Sequence, residues 1–164
     1  MSDLQVIGVV DIWLEHDGRF LMLHRSKDRK VYPDCWAFVG GGMQPGESGD
    51  PAAACLRELR EETGLAPEDV AGMALRYVIV TKKGDLIFNH YVFIGRALRT
   101  DVADCDEGRL EWVDRGRVPG LKMTDYIRSL VAHYFAVGEK GGLYMGRSDA
   151  DGKLVFEAFN ENFG

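Results

Sequence analysis

Cysteine and proline are scarce in this chain. Its 164 residues include 3 cysteines and 5 prolines, and Cys35, Cys55 and Cys105 are widely spaced. Small secreted domains held together by disulfides carry a dense and usually even set of cysteines, so that class is excluded. The spacing also gives no cysteine pair of the kind that binds metal. We therefore expect reduced cysteines and a cytoplasmic location.

Long apolar runs are absent too, and the start of the chain does not look like a targeting segment. The first residues, MSDLQVIGVVDIWLEHDG, lack a basic beginning and are interrupted by Asp11 and Glu15, unlike a signal peptide. No apolar run reaches the roughly 20 residues that a membrane-spanning helix needs. We expect no membrane partner.

Positive charge is in deficit. The chain has 20 Lys and Arg against 26 Asp and Glu, which gives a net charge of −6. Because nucleic-acid binding depends on clustered basic residues, this balance argues against a nucleic-acid partner. A phosphate ligand would need a cation between itself and an acidic site, and a divalent metal is the obvious candidate.

The chain does contain a succession of hairpins interleaved with two helices. Runs rich in β-branched residues predict strands, and turns are predicted at Asp17-Gly18, Lys83-Gly84-Asp85 and Asp151-Gly152. This pattern predicts a mixed α/β sandwich around one core. We expect a single domain over residues 1–164, with a C-terminal β-hairpin extension at about 141–160.

One of the two helices is predicted within the stretch GGGMQPGESGDPAAACLRELREETGL, which runs from Gly40 to Leu65. Asp50 is a suitable N-cap, Pro51 suits the first helical position, and Gly64 is a suitable C-terminal stop. At 100° per residue, one face is expected to pack into the core. That face carries Ala52, Leu56, Leu59 and Thr63.

Three glutamates, Glu58, Glu61 and Glu62, are expected on roughly the opposite face of this helix. Arg57 lies one turn before Glu61 and can pair with it. Hard divalent cations such as Mg²⁺ prefer oxygen ligands, so three carboxylates after a glycine-rich loop would suit one. Spacing alone leaves a merely solvated acidic face equally open.

The same stretch resembles the signature box of the Nudix hydrolases. Arg57 through Leu65 matches the second half of the box, and Gly41 followed after five residues by Glu47 matches the first half. The chain departs from the family in one respect, because the spacing between Glu47 and Arg57 is two residues longer than usual. The extra pair falls in the loop segment SGDP, where insertions are tolerated.

The resemblance implies an α/β/α sandwich with a mixed sheet. It also implies hydrolysis of a nucleoside diphosphate linked to another group, with Mg²⁺ as cofactor and Mn²⁺ as a substitute. The paired glutamates would ligate metal, Glu58 would be a further ligand or a base, and Arg57 would orient a carboxylate. The resulting candidate catalytic residues are Arg57, Glu58 and Glu61, and the candidate metal ligands are Gly41, Glu58, Glu61, Glu62 and Glu107.

Two of the candidates lie outside the box. Glu107, followed by Gly108, matches a loop glutamate that ligates metal or acts as base in several Nudix enzymes, and a simple turn is equally open. Arg25 ends a predicted strand where family members commonly contact substrate phosphates, and a plain surface arginine is equally open. His24 and His90 have no partner at metal spacing and are expected to be satisfied polar residues.

The first expectation for the substrate is a nucleoside triphosphate, with oxidised forms such as 8-oxo-dGTP included. An ADP-ribose or nucleotide-sugar pyrophosphatase is the alternative within the class. A non-catalytic nucleotide-sensing domain and an isopentenyl diphosphate isomerase-like enzyme are further alternatives, although no cysteine-glutamate pair can be assigned for the isomerase. The resemblance leaves a homodimer open, with the C-terminal hairpin as a candidate contact.

Overall fold

Two helices cover opposite faces of a mixed sheet in the computed structural model, which describes residues 3–159. The helices are α1 (Pro51–Thr63) and α2 (Asp125–Ala136). The strands are, in chain order, β1 (Gln5–His16), β2 (Arg19–Arg25), β3 (Trp36–Ala37), β4 (Val39–Gly42), β5 (Val70–Lys83), β6 (Leu86–Ala97), β7 (Gly108–Asp114), β8 (Tyr144–Ser148) and β9 (Leu154–Ala158). Within residues 3–159, neither helix is long and apolar enough to cross a membrane.

Strand β1 lies at the centre of the sheet. The strand order is β3-β2-β1-β6-β5-β8-β9, with β4 paired to β1 and β7 paired to β2. β1 runs parallel to β6, where Val9 is level with His90. It runs antiparallel to β4, where Asp11 is level with Gly40. β1 thus joins two parts of the chain that are far apart in sequence.

Side chains of β1 alternate between the two faces of the sheet, and each face contributes to a separate apolar core. Ile12 and Leu14 belong to the apolar cluster that contains Leu59 of α1. Trp13, between them, belongs to a second cluster that contains Val131 of α2. Because successive side chains of a strand point to opposite faces, α1 and α2 lie on opposite sides of the sheet. The predicted α/β/α sandwich with a mixed sheet is confirmed.

The ends of α1 are fixed by the residues that the sequence indicated. The Asp50 carboxylate accepts a hydrogen bond from the Ala53 N–H at 3.0 Å, and Pro51 is the first helical residue. Gly64 has a φ of 75° and donates its N–H to the Arg60 carbonyl. Glycine takes this left-handed conformation without steric cost, so the chain leaves the helix here.

The last two strands lengthen the sheet beyond β5. β8 pairs in parallel with β5, and β9 pairs antiparallel with β8. The rings of Tyr144 and Phe156 pack against Tyr77 of β5, with centroid distances of 5.5 and 5.6 Å. The turn predicted at Asp151-Gly152 is confirmed, since Gly152 has a φ of 78° and donates its N–H to the Asp149 carbonyl.

Leu59 anchors α1 to the sheet and is 0% exposed. We expect Leu59→Ala to lower the free energy of unfolding by about 2–5 kcal/mol, because it removes apolar contacts and leaves a cavity. Leu98, which is 51% exposed, provides the matched control, and Leu98→Ala should cost less than about 1 kcal/mol. Urea denaturation measures both. Equal losses would show that α1 does not depend on this contact.

Candidate active site

The glycine-rich strand β4 lies directly against the acidic side of α1. The Gly40 N–H donates a hydrogen bond to Oε2 of Glu62 at 3.0 Å. At Gly41, an added Cβ would lie 2.7 Å from the carboxyl carbon of Glu58, so a larger residue would displace that side chain. Glycine is required at Gly41 because backbone and carboxylate approach so closely. The two glutamates are therefore held at the backbone of β4.

Glu62 is buried together with Leu59 and Thr63, so the expectation that it lies on roughly the opposite face of α1 is wrong. The residue is 8% exposed, because β4 covers this part of the helix. Burial raises the pKa of the Glu62 carboxyl to about 7, and the charges of Glu107, Glu58 and Asp11 act in the same direction. The hydrogen bond from Gly40 opposes this shift. Negative charge therefore converges from several elements onto one buried carboxyl group.

The other two glutamates of α1 differ in exposure. The side chain of Glu58 is 13% exposed, whereas that of Glu61 is 55% exposed. The exposure of the three glutamates thus increases from Glu62 through Glu58 to Glu61. This difference arises because β4 runs over only one side of the helix.

Arg57 holds the carboxylates of this helix and of the preceding loop together. Its Nε and Nη2 donate to the two oxygens of Glu47, at 2.6 and 2.9 Å. Its Nη1 donates to Glu58 at 2.7 Å and to Glu61 at 2.9 Å. The predicted pairing with Glu61 is confirmed, and the contacts with Glu47 and Glu58 are added to it. A planar guanidinium suits such multiple contacts, which are stronger than neutral hydrogen bonds.

Glu47 braces the loop before α1. Besides its contacts with Arg57, its carboxylate accepts the backbone N–H of Gln44 at 2.8 Å. The hydrogen bonds from Arg57 and Gln44 lower the pKa of the Glu47 carboxyl to about 2. Glu47 therefore stays ionised and acts as a structural clamp. The longer spacing in this chain leaves Glu47 in contact with Arg57.

Glu107 and Arg25, the two candidates outside the box, meet at the edge of the site. Nη1 of Arg25 donates to Oε2 of Glu107 at 2.9 Å, and Nη2 of Arg29 donates to Oε1 at 2.8 Å. Arg29 was not among the predicted site residues. It lies in the polar loop SKDRKVYPDC, where a run of basic residues was the only available signal. The carboxylate of Glu107 thus binds two arginines beside the acidic cluster, which is formed by Glu58, Glu61 and Glu62.

The donor set suits a hard divalent cation. Within residues 3–159, no three His, Cys, Asp or Glu side chains are already grouped as they would be around a metal. Glu58 and Glu62 nevertheless converge on β4, and neighbouring negative charges raise the pKa of Glu62. A buried group of carboxyl and carbonyl oxygens with excess negative charge fits Mg²⁺. The residues present therefore fit the group that the sequence indicated.

A cleft of about 600 Å³ runs from β4 along the face of the sheet that carries α2. Gly40, Gly41, Arg25 and Glu107 contribute to its lining, and residues of β6 and α2 contribute to the remainder. Ligand pockets for small molecules have volumes of this order. The cleft thus connects the acidic cluster with a partly apolar space.

The lining of the cleft also contains polar groups that sequence reasoning missed. Asp11, His90 and Tyr126 all line it. His90 was expected to be a satisfied polar residue, and this expectation is wrong, because its buried Nδ1 has no hydrogen-bond partner among the residues described. His24 does have a partner, since its Nε2 lies 3.1 Å from Asp34.

Comparison with known proteins agrees with the geometry. The family model described as NUDIX domain matches residues 4–134. The nucleoside triphosphatases NudI of Enterobacter sp. (strain 638) and of Escherichia coli are 43% identical to this chain over 51 residues. That match covers 31% of this chain and only 35% of each relative's length.

Solved structures of similar fold cover most of the chain. A MutT protein from Methanosarcina mazei Go1 superposes with a TM-score of 0.65 at 26% identity, covering 83% of this chain and 97% of that one. A MutT protein from Bacillus halodurans superposes with a TM-score of 0.71 at 21% identity, covering 95% and 99%. At that lower identity, the likeness concerns the fold alone.

The raised pKa of Glu62 predicts how stability depends on pH without metal. Glu62 gains its proton near pH 7 in the folded chain and near 4.5 when unfolded. The folded state thus binds more protons between these values, and stability falls as pH rises through this range. We expect Glu62→Gln to raise the free energy of unfolding by about 1–3 kcal/mol at about pH 8 in EDTA. Near pH 4.5 this gain should largely vanish.

Urea denaturation at the two pH values measures this gain. Glu61→Gln is the matched control, because that side chain is largely exposed and its ion pair should be worth less than about 1 kcal/mol. If Glu62→Gln is less stable than wild type at about pH 8, the carboxylate is stabilised by groups other than those identified, and the assignment of Glu62 as a crowded, buried charge is wrong.

Proposed function

This chain belongs to the NUDIX family, and from that premise we propose that it is a Nudix-type hydrolase that converts a nucleoside triphosphate to the monophosphate and pyrophosphate with Mg²⁺. One observation carries the proposal. The carboxylates of Glu58 and Glu62 are held against Gly41 and Gly40 of β4, and the same glycines line a cleft with room for a nucleotide. A pyrophosphate group could reach this acidic end only with a cation between them.

The metal would be held by the Gly41 carbonyl and the carboxylates of the site, a set made up of Glu58, Glu61, Glu62 and Glu107. Nudix hydrolases generally use divalent metals, and Mn²⁺ is proposed as a substitute. Mg²⁺ bound there would neutralise phosphate charge and lower the pKa of a bound water. Glu58 and Glu61 are proposed as the catalytic carboxylates, and Arg57 as the residue that orients both.

Arg25 is proposed to bind a substrate phosphate. Its guanidinium lines the cleft and already contacts an anionic group, the Glu107 carboxylate. A phosphate that bound Arg25 would replace that contact, since the same N–H groups would serve both anions. Oε2 of Glu107 would then be free to act as a metal ligand, while Arg29 holds Oε1. Binding of substrate and completion of the metal site would in this way be linked.

The preference for a nucleoside triphosphate is supported by the name of the NudI relatives, nucleoside triphosphatase. We propose 8-oxo-dGTP as one candidate within this class. Because the match spans about a third of their length, this activity is proposed for the present chain and not transferred to it. An ADP-ribose or nucleotide-sugar pyrophosphatase is the rival substrate class. A nucleotide-sensing domain without catalysis is the rival function.

The domain organisation, location, partners and assembly of the chain are also proposed. We propose a single domain over residues 1–164, with the hairpin β8–β9 as its extension, and a cytoplasmic location. The partner is proposed to be a small nucleotide, with neither nucleic acid nor membrane as a ligand. A homodimer formed through the C-terminal hairpin is proposed as the assembly to test by light scattering.

A substrate panel with and without metal tests the activity. Nucleoside triphosphates, 8-oxo-dGTP, ADP-ribose and nucleotide sugars are assayed for released pyrophosphate or phosphate, in Mg²⁺ or in excess EDTA. We expect triphosphates to be cleaved in Mg²⁺ and not in EDTA, with Mn²⁺ restoring the activity. Glu62→Gln should lower turnover about a hundredfold or more, because a charge that stabilises the transition state is lost. Full activity in EDTA would overturn the mechanism.

The outcomes of this assay also distinguish the proposed triphosphatase from the rival substrate class and from the nucleotide sensor. Cleavage of ADP-ribose or sugar nucleotides in preference to triphosphates would establish the rival substrate class. If wild type binds nucleotide and gains thermal stability with Mg²⁺ but cleaves no member of the panel, the domain is a sensor. Glu62→Gln should lose the stabilisation by Mg²⁺ in either case, which tests the metal site independently of catalysis.

The contacts of Arg57 predict a kinetic signature. Arg57→Ala removes the group that orients Glu58 and Glu61, and so we expect a loss of kcat of about tenfold to a hundredfold with little change in KM. Arg60, on the exposed side of the same helix, provides the matched control, and Arg60→Ala should resemble wild type. Steady-state kinetics on the preferred substrate decide this. A change confined to KM would make Arg57 a substrate contact instead.

A further inference from the structure

Two successive glycines of β4 each lie against a carboxylate, and successive residues of a strand point to opposite faces. A Cβ at Gly41 would lie 2.7 Å from the carboxylate of Glu58, on the side of α1. A Cβ at Gly40 would lie 2.9 Å from Oδ1 of Asp11, on the side of the cleft. Glycine leaves room for both acids, because a larger residue would displace one of them. The backbone of β4 is therefore flanked by carboxylates on both faces.

The carboxyl group of Asp11 has no partner for its charge. The residue lies on β1, level with Gly40, and its carboxyl group is largely surrounded by protein atoms. In the part of the chain that the structure describes, this carboxyl group makes no hydrogen bond and no ion pair. Proteins offset the cost of a buried charge by pairing it, by binding a metal or by keeping the group protonated. Since Asp11 lines the cleft, a cation can reach it from there.

A second group without a partner lies near Asp11 in the cleft. The hydroxyl of Tyr126, in the first turn of α2, is buried and has no hydrogen-bond partner among residues 3–159. The charge of Asp11 raises the pKa of Tyr126, so the two groups are near each other, yet they form no hydrogen bond. Two oxygens that are close and unpaired leave a gap for a third species. A hydrated cation suits this gap, because the carboxylate can bind the ion and the hydroxyl can bond one of its waters.

The charges around β4 favour more than one cation. Arg57 pairs with Glu58, whereas neither Glu62 nor Asp11 has a cationic partner in the described range 3–159. The charge of Asp11 also raises the pKa of Glu62, so these two carboxylates repel each other across Gly40. A single ion between α1 and β4 would leave Asp11 unpaired on the other face. Enzymes that cleave phosphate esters often hold two metal ions about 3.5–4 Å apart.

We propose, resting on the metal dependence proposed above, that Asp11 binds a second divalent cation on the cleft side of β4. The first cation is the one assigned above to the glutamates of α1. Mg²⁺ usually keeps several waters and binds one or two carboxylates together with phosphate oxygens. One carboxylate from β1, with the Tyr126 hydroxyl bonded to a coordinated water, fits this mode of binding. The second cation lies on the side of β4 from which a substrate phosphate would approach.

Counting bound Mn²⁺ tests the proposal directly. Wild type and Asp11→Asn are titrated at about pH 8, above the pKa of about 7 that burial gives Asp11, and free Mn²⁺ is measured by electron paramagnetic resonance. We expect two ions per chain in wild type and one in Asp11→Asn. Glu62→Gln should also bind one ion, because the position at Asp11 remains. The matched control is Asp85→Asn, in the exposed turn between β5 and β6, and it should bind two.

A titration with a nucleotide present covers the case in which the second ion binds together with substrate. The α,β-methylene analogue of dGTP, which cannot be hydrolysed between these two phosphates, is added in equal amounts to wild type and to Asp11→Asn. We expect wild type to bind one Mn²⁺ more than the variant. Equal numbers for the two proteins, both with the analogue and without it, would overturn the proposal.

Melting curves separate a metal ligand from an acid that is merely protonated. Asparagine has the shape of the protonated acid, so Asp11→Asn should melt in EDTA at the wild-type temperature or above it. In saturating Mn²⁺, its melting temperature should rise about half as much as that of wild type, because one ion fewer binds the folded state. Tyr126→Phe should keep both ions and bind one of them about threefold to tenfold less tightly. If Asp11→Asn shows the full wild-type rise, the carboxyl group is satisfied by a proton or by water, and the proposal is wrong.

Metal counting and catalysis can fail separately. If triphosphates are cleaved in Mg²⁺ while wild type and Asp11→Asn bind the same number of Mn²⁺ ions, the inference is wrong and the activity stands. If no triphosphate is cleaved but Asp11→Asn binds one ion fewer than wild type, the activity is wrong and the second cation stands.

Discussion

Repulsion among the carboxylates of α1 is the constraint on which the site depends, and the guanidinium of Arg57 offsets part of it. Arg57 contacts Glu47, Glu58 and Glu61 at once, so the loop before the helix and the helix itself are joined through one side chain. Glu62 lies outside this arrangement and, among residues 3–159, accepts a hydrogen bond from the Gly40 N–H alone. The site is therefore stabilised on its exposed side and left electrostatically unbalanced on its buried side, which is where a cation would be most effective.

A second arrangement of the same kind lies beside the first, close enough for the charge of Glu107 to act on Glu62. There the roles are inverted, because one carboxylate, Glu107, holds two arginines, Arg25 and Arg29. One set thus carries excess negative charge and the other carries excess positive charge. Under the proposed function, a metal-bound polyphosphate would carry both charges in one molecule and would complement both sets simultaneously.

Local signals predicted the fold well, and the site only in part. The limits of α1 depend on Asp50, Pro51 and Gly64, which act through their own backbone geometry and can be recognised in any context. The burial of Glu62 depends instead on β4, a strand of four residues that crosses one side of the helix. Likewise, Asp11, His90 and Tyr126 come from β1, β6 and α2. The parallel register of β1 with β6 brings the first two together, and the packing of α2 places the ring of Tyr126 4.7 Å from that of His90. Helical periodicity carries no information about such neighbours.

The C-terminal hairpin also has a consequence for how this chain behaves in a crowded solution. Strand β5 spans Val70–Lys83, and without β8 its outer backbone would be a long row of free N–H and C=O groups, which invites intermolecular strand pairing. In the part of the chain described, the sheet ends instead at β9, which has five residues and carries Glu157. Short edge strands with a charged side chain resist aggregation, so the hairpin acts as a protective cap for the sheet.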